Sequence, residues 1–132
     1  MNFECISDNN CILAYLIRNS ENPDKTTFIT SPDLNFQAGF IIYPDGSEIP
    51  RHFHHPVQRS IQGTSEVIVV RQGTCIVDIY KTTKELIVSR PMEKGDIVMF
   101  FSGGHGFRIT EKTVLFEIKQ GPYSGTEEKV RF

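Results

Sequence analysis

Four histidines occur in the chain, three of them in "RHFHHP" at 51–56 and the fourth in "SGGHGF" at 102–107. One carboxylate, Glu66, opens the apolar run "EVIVV". In an extended chain, residues i and i+2 point the same way, about 6.6 Å apart at roughly 3.3 Å per residue. His52 and His54 are therefore expected to present two imidazoles on one side, able to share an ion held about 2.0–2.1 Å from each nitrogen. His55 has the opposite parity and is expected to face away with Phe53. Glu66 shares a face with Ile68 and Val70, and His105 with Phe107 and Ile109. If those apolar residues line an interior, Glu66 and His105 line it too. A buried carboxylate costs several kcal/mol unless it is paired, and a cation or a histidine removes that penalty. Three neutral imidazoles and one carboxylate are a usual ligand set for iron, manganese, nickel, copper or zinc. Each signal has a plain alternative: a surface histidine pair, a glutamate at a wet strand entrance, a histidine in a turn. Their joint occurrence with matched parity favours a shared site.

The elements that must position these residues are strands. "NFQAGFIIY" places Phe36, Ala38, Phe40 and Ile42 on one face. "SEVIVVR", "TCIVDIY", "KELIVSR", "GDIVMFF", "GFRIT" and "TVLFEIK" follow, rich in β-branched and aromatic residues. Turn signals separate them: "PDG" at 44–46, "RQG" at 71–73, "EKGD" at 93–96 and "SGGHG" at 102–106. "CILAYLIR" suits either a short helix or a strand buried on both faces. "RNSENPDK" at 18–25 is expected as a surface loop, and the 121–132 tail as a turn ending in a short edge strand. The spacing predicts an all-β single domain over 1–132, with a core about 36–120 and N-terminal strands within 12–30 packed on it. Two strand–turn–strand halves around residue 75, each delivering histidine near a turn, predict a jelly roll.

Composition narrows the function classes. The 39% hydrophobic and 23% charged content is that of an ordinary globular domain. The formal charge of −2 comes from interspersed acids and bases, and the absence of a basic stripe argues against nucleic acid. The longest apolar runs, "ILAYLI" and "VIVV", are too short to span a membrane, and the first ten residues lack a signal-like core. A cytoplasmic location is the default expectation. Cys5, Cys11 and Cys75 are odd in number and lack a Cys-x-x-Cys pair, so a disulfide framework is not expected.

The motifs resemble those of a cupin. Gly46 precedes His52 by five intervening residues, then His54 follows; Glu66 precedes Gly73 by six; Gly95-Asp96 opens "GDIVMFFSGGHGF", which closes on His105. The resemblance covers about residues 36–120. It implies the double-stranded β-helix barrel and one divalent metal (iron, manganese, nickel or zinc) on His52, His54, Glu66 and His105. Two departures stand out. Eleven residues separate His54 from Glu66 where the family has three or four, so Gln58 or Gln62 is an alternative to Glu66 in reach of the site. Phe101 stands where proline is usual, and His105 arrives one residue early; the glycines at 103–104 can absorb that shift. "GHGF" at 104–107 is also similar to an element of nucleotide-sugar epimerases on the same fold, which work without metal through a histidine base and a tyrosine acid.

The resemblance implies a metal-dependent sugar or nucleotide-sugar isomerase or epimerase; a dioxygenase is the second catalytic reading, and a non-catalytic sugar-binding module the reading of another class. His54, itself one of the implied ligands, is named as a catalytic residue together with Tyr80. Tyr43, Tyr80 and Tyr123 are the tyrosine candidates, with Tyr80 taken forward although no spacing singles one out. Arg59 and Gln62 from the inserted loop, with Phe107 beside His105, are the expected substrate contacts. Arg51 and Arg108 have outward parity and read as surface residues. Strands apolar on both faces predict cover by another sheet or by a second copy, hence a homodimer.

Overall fold

The computed structural model describes residues 3–20, 22–125 and 128–132. Met1, Asn2, Glu21 of the 18–25 loop, and Thr126 and Glu127 of the tail lie outside the described residues. Ten strands make up the fold, with no α-helix among the described residues: β1 (Phe3–Asp8), β2 (Cys11–Ile17), β3 (Thr27–Phe28), β4 (Gly39–Phe40), β5 (Glu66–Gln72), β6 (Thr74–Tyr80), β7 (Leu86–Glu93), β8 (Ile97–Phe100), β9 (Gly104–Ile109) and β10 (Val114–Lys119). No helix is long and apolar enough to cross a membrane.

All pairings are antiparallel. A five-stranded sheet runs β1-β2-β8-β5-β10, a three-stranded sheet runs β7-β6-β9, and β3 pairs with β4 alone. Alternating apolar residues of the two larger sheets meet in one core: Ile6, Ala14, Leu16, Ile68, Val70, Val98 and Phe100 from the first, Cys75, Val77, Ile79 and Met92 from the second. "CILAYLI" is a strand, not a helix. Its register shifts opposite Ile6 and Ser7, which leaves Leu13 unpaired and turns it into the core, while Tyr15 and Ile17 face outward. Such a bulge adds one residue to one strand and re-aims its side chain.

Tyr15, Ile17 and Met99 form a second cluster on the outer face of β2 and β8. Ile29, Leu34, Phe36, Ala38 and Phe40 cover it. The chain itself thus supplies part of the second cover that two-faced strands demand. That cover stops short of β10, whose outward Phe116 is 53% exposed.

One seam between the sheets is pinned by charge. Arg90 of β7 donates from Nε and Nη2 to Glu4 of β1 at 3.0 and 2.8 Å, and Lys81 lies 3.6 Å from Asp8. At the turn before β8, the carboxylate of Asp96, 1% exposed, accepts from Arg18, from the Asn19 amide and from the Glu93 amide at 2.9–3.0 Å. An aspartate after Gly95 thus closes its own turn and ties it to residues 18–19, a structural role for the "GD" pair.

The structure differs from the sequence expectation in several stretches. β1 lies ahead of the 12–30 range expected to hold the N-terminal strands, and no edge strand forms over 128–132 of the tail. "NFQAGFIIY" pairs only at Gly39–Phe40, and no strand occurs between Phe40 and Glu66. His52 and His54 therefore do not sit in a paired strand. The two sheets do not close into a barrel among the described residues. In physical terms, a period of two says which face a residue takes, but it does not supply the neighbouring strand.

Candidate functional site

Glu66 is the first residue of β5, with Phe100 of β8 and Lys119 of β10 as its cross-strand partners. His105 enters from the other sheet, opposite Ile79 on β6. Its Nε2 lies 3.0 Å from Glu66 Oε2, with side-chain exposures of 30% for His105 and 10% for Glu66. The pair thus bridges the two sheets. Parity read from the sequence holds here: His105, Phe107 and Ile109 share the face that opposes Glu66, Ile68 and Val70.

The local backbone explains the delivery of His105. Gly103 has φ +73°, and a Cβ there would come 2.3 Å from the Tyr80 carbonyl oxygen. Only glycine takes both the left-handed conformation and that approach without strain. The chain therefore turns tightly out of β8 into β9, two residues before the imidazole.

Aromatic rings frame the pair. The Phe100 and His105 rings stack with centroids 3.7 Å apart and planes 5° from parallel. Phe107 packs edge-on to both, at 6.1 Å from Phe100 and 6.3 Å from His105. Stacking and the Glu66 hydrogen bond together fix the imidazole in position and rotation.

Electrostatics separates two neighbouring carboxyls. The hydrogen bond from His105 lowers Glu66 from its ordinary 4.5 to about 2, against the opposing effect of burial, with help from Glu117 and the Lys119 charge. Glu117, on the inward face of β10 across from Ile68, is pushed up by its hydrogen bond to Glu66, then by burial and the Glu66 charge. Glu66 is the ionised member, and Glu117 the one that holds its proton longer. With Glu66 charged, His105 donates Nε2–H to it, an assignment made from that hydrogen bond, and Nδ1 is the ring nitrogen left for another partner.

The other sequence-identified residues lie apart from this pair. His52 and His54 are exposed, their rings 5.3 Å apart, and His52 Nδ1 lies 2.8 Å from the Pro50 carbonyl. Gln58, Arg59 and Gln62 are exposed on the same segment. Among the described residues no group of three His, Cys, Asp or Glu side chains lies close enough to hold one metal ion. Within a single chain the four ligands implied by the resemblance thus stand as two pairs, and that set does not fit a metal. Tyr80 has the opposite parity to Ile79; it lies on the outer face of β6, its ring 5.1 Å from that of Phe132. Arg108 is an outward residue as expected, bound by Nε and Nη2 to Asp78 at 2.8 and 2.9 Å.

Two contributors went unread in the sequence. Glu117 alternates with Phe116 and Ile118 in "VLFEIK", a charge at an inward position of an apolar strand, which is the same signal that marked Glu66. Phe100 carried no signal beyond its parity. A concavity of about 560 Å³ sits at the other end of β6 and β9, lined by Arg18, Thr74, Cys75, Met92, Asp96 and Thr110 among others. It contains none of the histidines and is floored by the Asp96 network.

No protein-family model, curated protein or solved structure matches this chain.

Proposed function

We propose that the chain is a cupin-type jelly roll that isomerises or epimerises a carbohydrate-derived carbonyl compound, with His105 as the proton-transfer group. The observation that carries this reading is the Glu66–His105 bridge, held at 3.0 Å and open to solvent on the histidine side. A carboxylate that accepts one imidazole N–H fixes the tautomer and the ring orientation and leaves the other nitrogen to take a proton. Nδ1 takes the proton from the carbon beside a carbonyl, and the electron pair moves into the enediolate. The same nitrogen returns the proton to that carbon or its neighbour. Phe107 and the Phe100 edge offer apolar walls for the sugar ring. Tyr80 is not the acid of this scheme, because it faces the other side of its sheet.

The test is exchange of substrate C–H protons for deuterium in heavy water, read by NMR over a panel of sugar phosphates and nucleotide sugars. Exchange by the wild type and its loss in His105→Gln support the reading. Binding without exchange across the panel sinks the enzyme and leaves a sugar-binding module.

The divalent metal is the second reading, favoured by one observation. An imidazole nitrogen and a carboxylate oxygen stand 3.0 Å apart, half of an N/O ligand set. Metal analysis of protein purified without added metal, repeated for His54→Ala and Glu66→Ala, tests it. Loss of metal in both places them in one centre, loss in His54→Ala alone leaves Glu66 outside it, and retention in both refutes a metal site on these residues.

A further inference from the structure

Residues 41–64 are exposed throughout, and their one backbone–backbone hydrogen bond among the described residues runs from the Ser47 amide to the Pro44 carbonyl at 3.2 Å. Even so, the middle of this segment alternates as a strand does. His52 and His54 pair on one side, and Phe53 and His55 on the other, with ring centroids 6.2 Å apart. The sequence continues the alternation: Ile49, Phe53, Val57 and Ile61 at odd positions, His52, His54, Gln58 and Gln62 at even ones.

The strand that this segment lacks as a partner is also present. Among the described residues β9 is an edge, hydrogen-bonded to β6 alone. Its inward face is covered only in part: Phe107 packs on the core, and Cys75, Val77 and Ile79 on β6 are at most 1% exposed, whereas Ile109 on the same face of β9 is 56% exposed. β10 extends the larger sheet past β5, with Glu117 exposed on its inward side. A fourth strand beside β9 would face Glu66 and Glu117, and imidazoles complement two carboxyls.

We propose that residues 48–62 are exchanged between two copies of the chain, each segment adding to the β9 edge of the other. Strand addition satisfies the free backbone groups of an edge. Two copies trading the same segment form an isologous dimer. With His52 and His54 turned inward, the odd face carrying Phe53, 84% exposed in the single chain, points outward, and only a second copy buries it. The surface area agrees. The chain exposes 9743 Å², roughly 2,700 Å² above the ~7,000 Å² expected of a compact monomer of this mass, and a stable dimer needs about 800 Å² from each partner. The exchange would bring His52 and His54 of one copy to Glu66 and His105 of the other. This last step rests on the function proposed above; the exchange itself does not.

The experiment uses light scattering and amide hydrogen exchange on the full chain. The wild type is expected at twice the 15.0 kDa chain mass, with β9 amides protected. Phe53→Asp with Val57→Asp should return the single-chain mass and unprotect β9 while the far-UV spectrum stays unchanged. A wild-type monomer at micromolar concentration, or a dimer and β9 protection untouched by the double variant, overturns the exchange. A mixture of His52→Ala/His54→Ala with Glu66→Ala/His105→Ala, refolded together, then tests the shared site by Mn²⁺ uptake. Uptake by the mixture and by neither variant alone supports sites built from two chains. Uptake by the wild type but not by the mixture refutes them. If the wild type takes up no Mn²⁺, the metal reading fails and mass and protection alone decide the exchange.

Discussion

The imidazole of His105 lies flat on the ring of Phe100, 3.7 Å between centroids, while its Nε2 reaches Glu66, the cross-strand partner of that same phenylalanine. Two neighbours on adjacent strands thus grip one residue of the opposing sheet, one by its face and one by its edge.

Glu66→Gln removes the acceptor charge. A depressed carboxyl contributes stability above its unfolded value, and that contribution is lost as pH falls through its folded value. Urea unfolding at pH 7 should show the variant less stable by about 1–3 kcal/mol, the cost of a broken charge-assisted hydrogen bond. The gap should close as pH falls from 4.5 toward 2. A gap unchanged across that window would show that the loss is steric.

Glu117 has the opposite sign. A raised carboxyl favours the fold below its unfolded value and loses that contribution as pH rises through the folded one. Glu117→Gln keeps a donor toward Glu66 without the second charge. Thermal unfolding at pH 7 should therefore show equal or slightly higher stability, by roughly 0.5 kcal/mol or less at so exposed a position. At pH 3 the gain should vanish.

Asp96→Ala should cost about 2–3 kcal/mol, because breaking a buried pair costs roughly 3–5 and the Arg18 side chain keeps partial access to water. Three donors lose one acceptor group together. Calorimetry reads the drop in melting temperature, and Asp96→Asn, which keeps one oxygen, should lose less.

Gly103→Ala should destabilise by about 1–3 kcal/mol through its positive φ, with added cost from the Tyr80 carbonyl. The proton-exchange rate should fall further than stability explains, because His105 follows two residues later. Gly106→Ala is the control: no described atom lies within 4 Å of its Cβ, so its loss should be smaller.

Much of this fold can be read from alternation. β6 coincides with "TCIVDIY", and β5 and β10 agree to within a residue at each end, because β-branched runs closed by Gly73 and polar turns leave little choice of boundary. The opposed faces of Glu66 and His105 follow from parity alone, and parity likewise sets Tyr80 on the outer face, opposite Ile79. β1 was not legible: "FECISD" mixes polar and apolar residues and gains its place from Ile6 packing in the core. The histidine segment misled for the converse reason. Its pattern is that of a strand, but pairing depends on a neighbour whose identity no local pattern encodes.

The Arg90–Glu4 clasp has a mechanical consequence. It holds the β1 and β7 side of the two sheets, while the His105–Glu66 bond holds β9 to β5. Two clasps set apart across the sheets fix their spacing, so any molecule that reaches His105 would meet walls of a width already set.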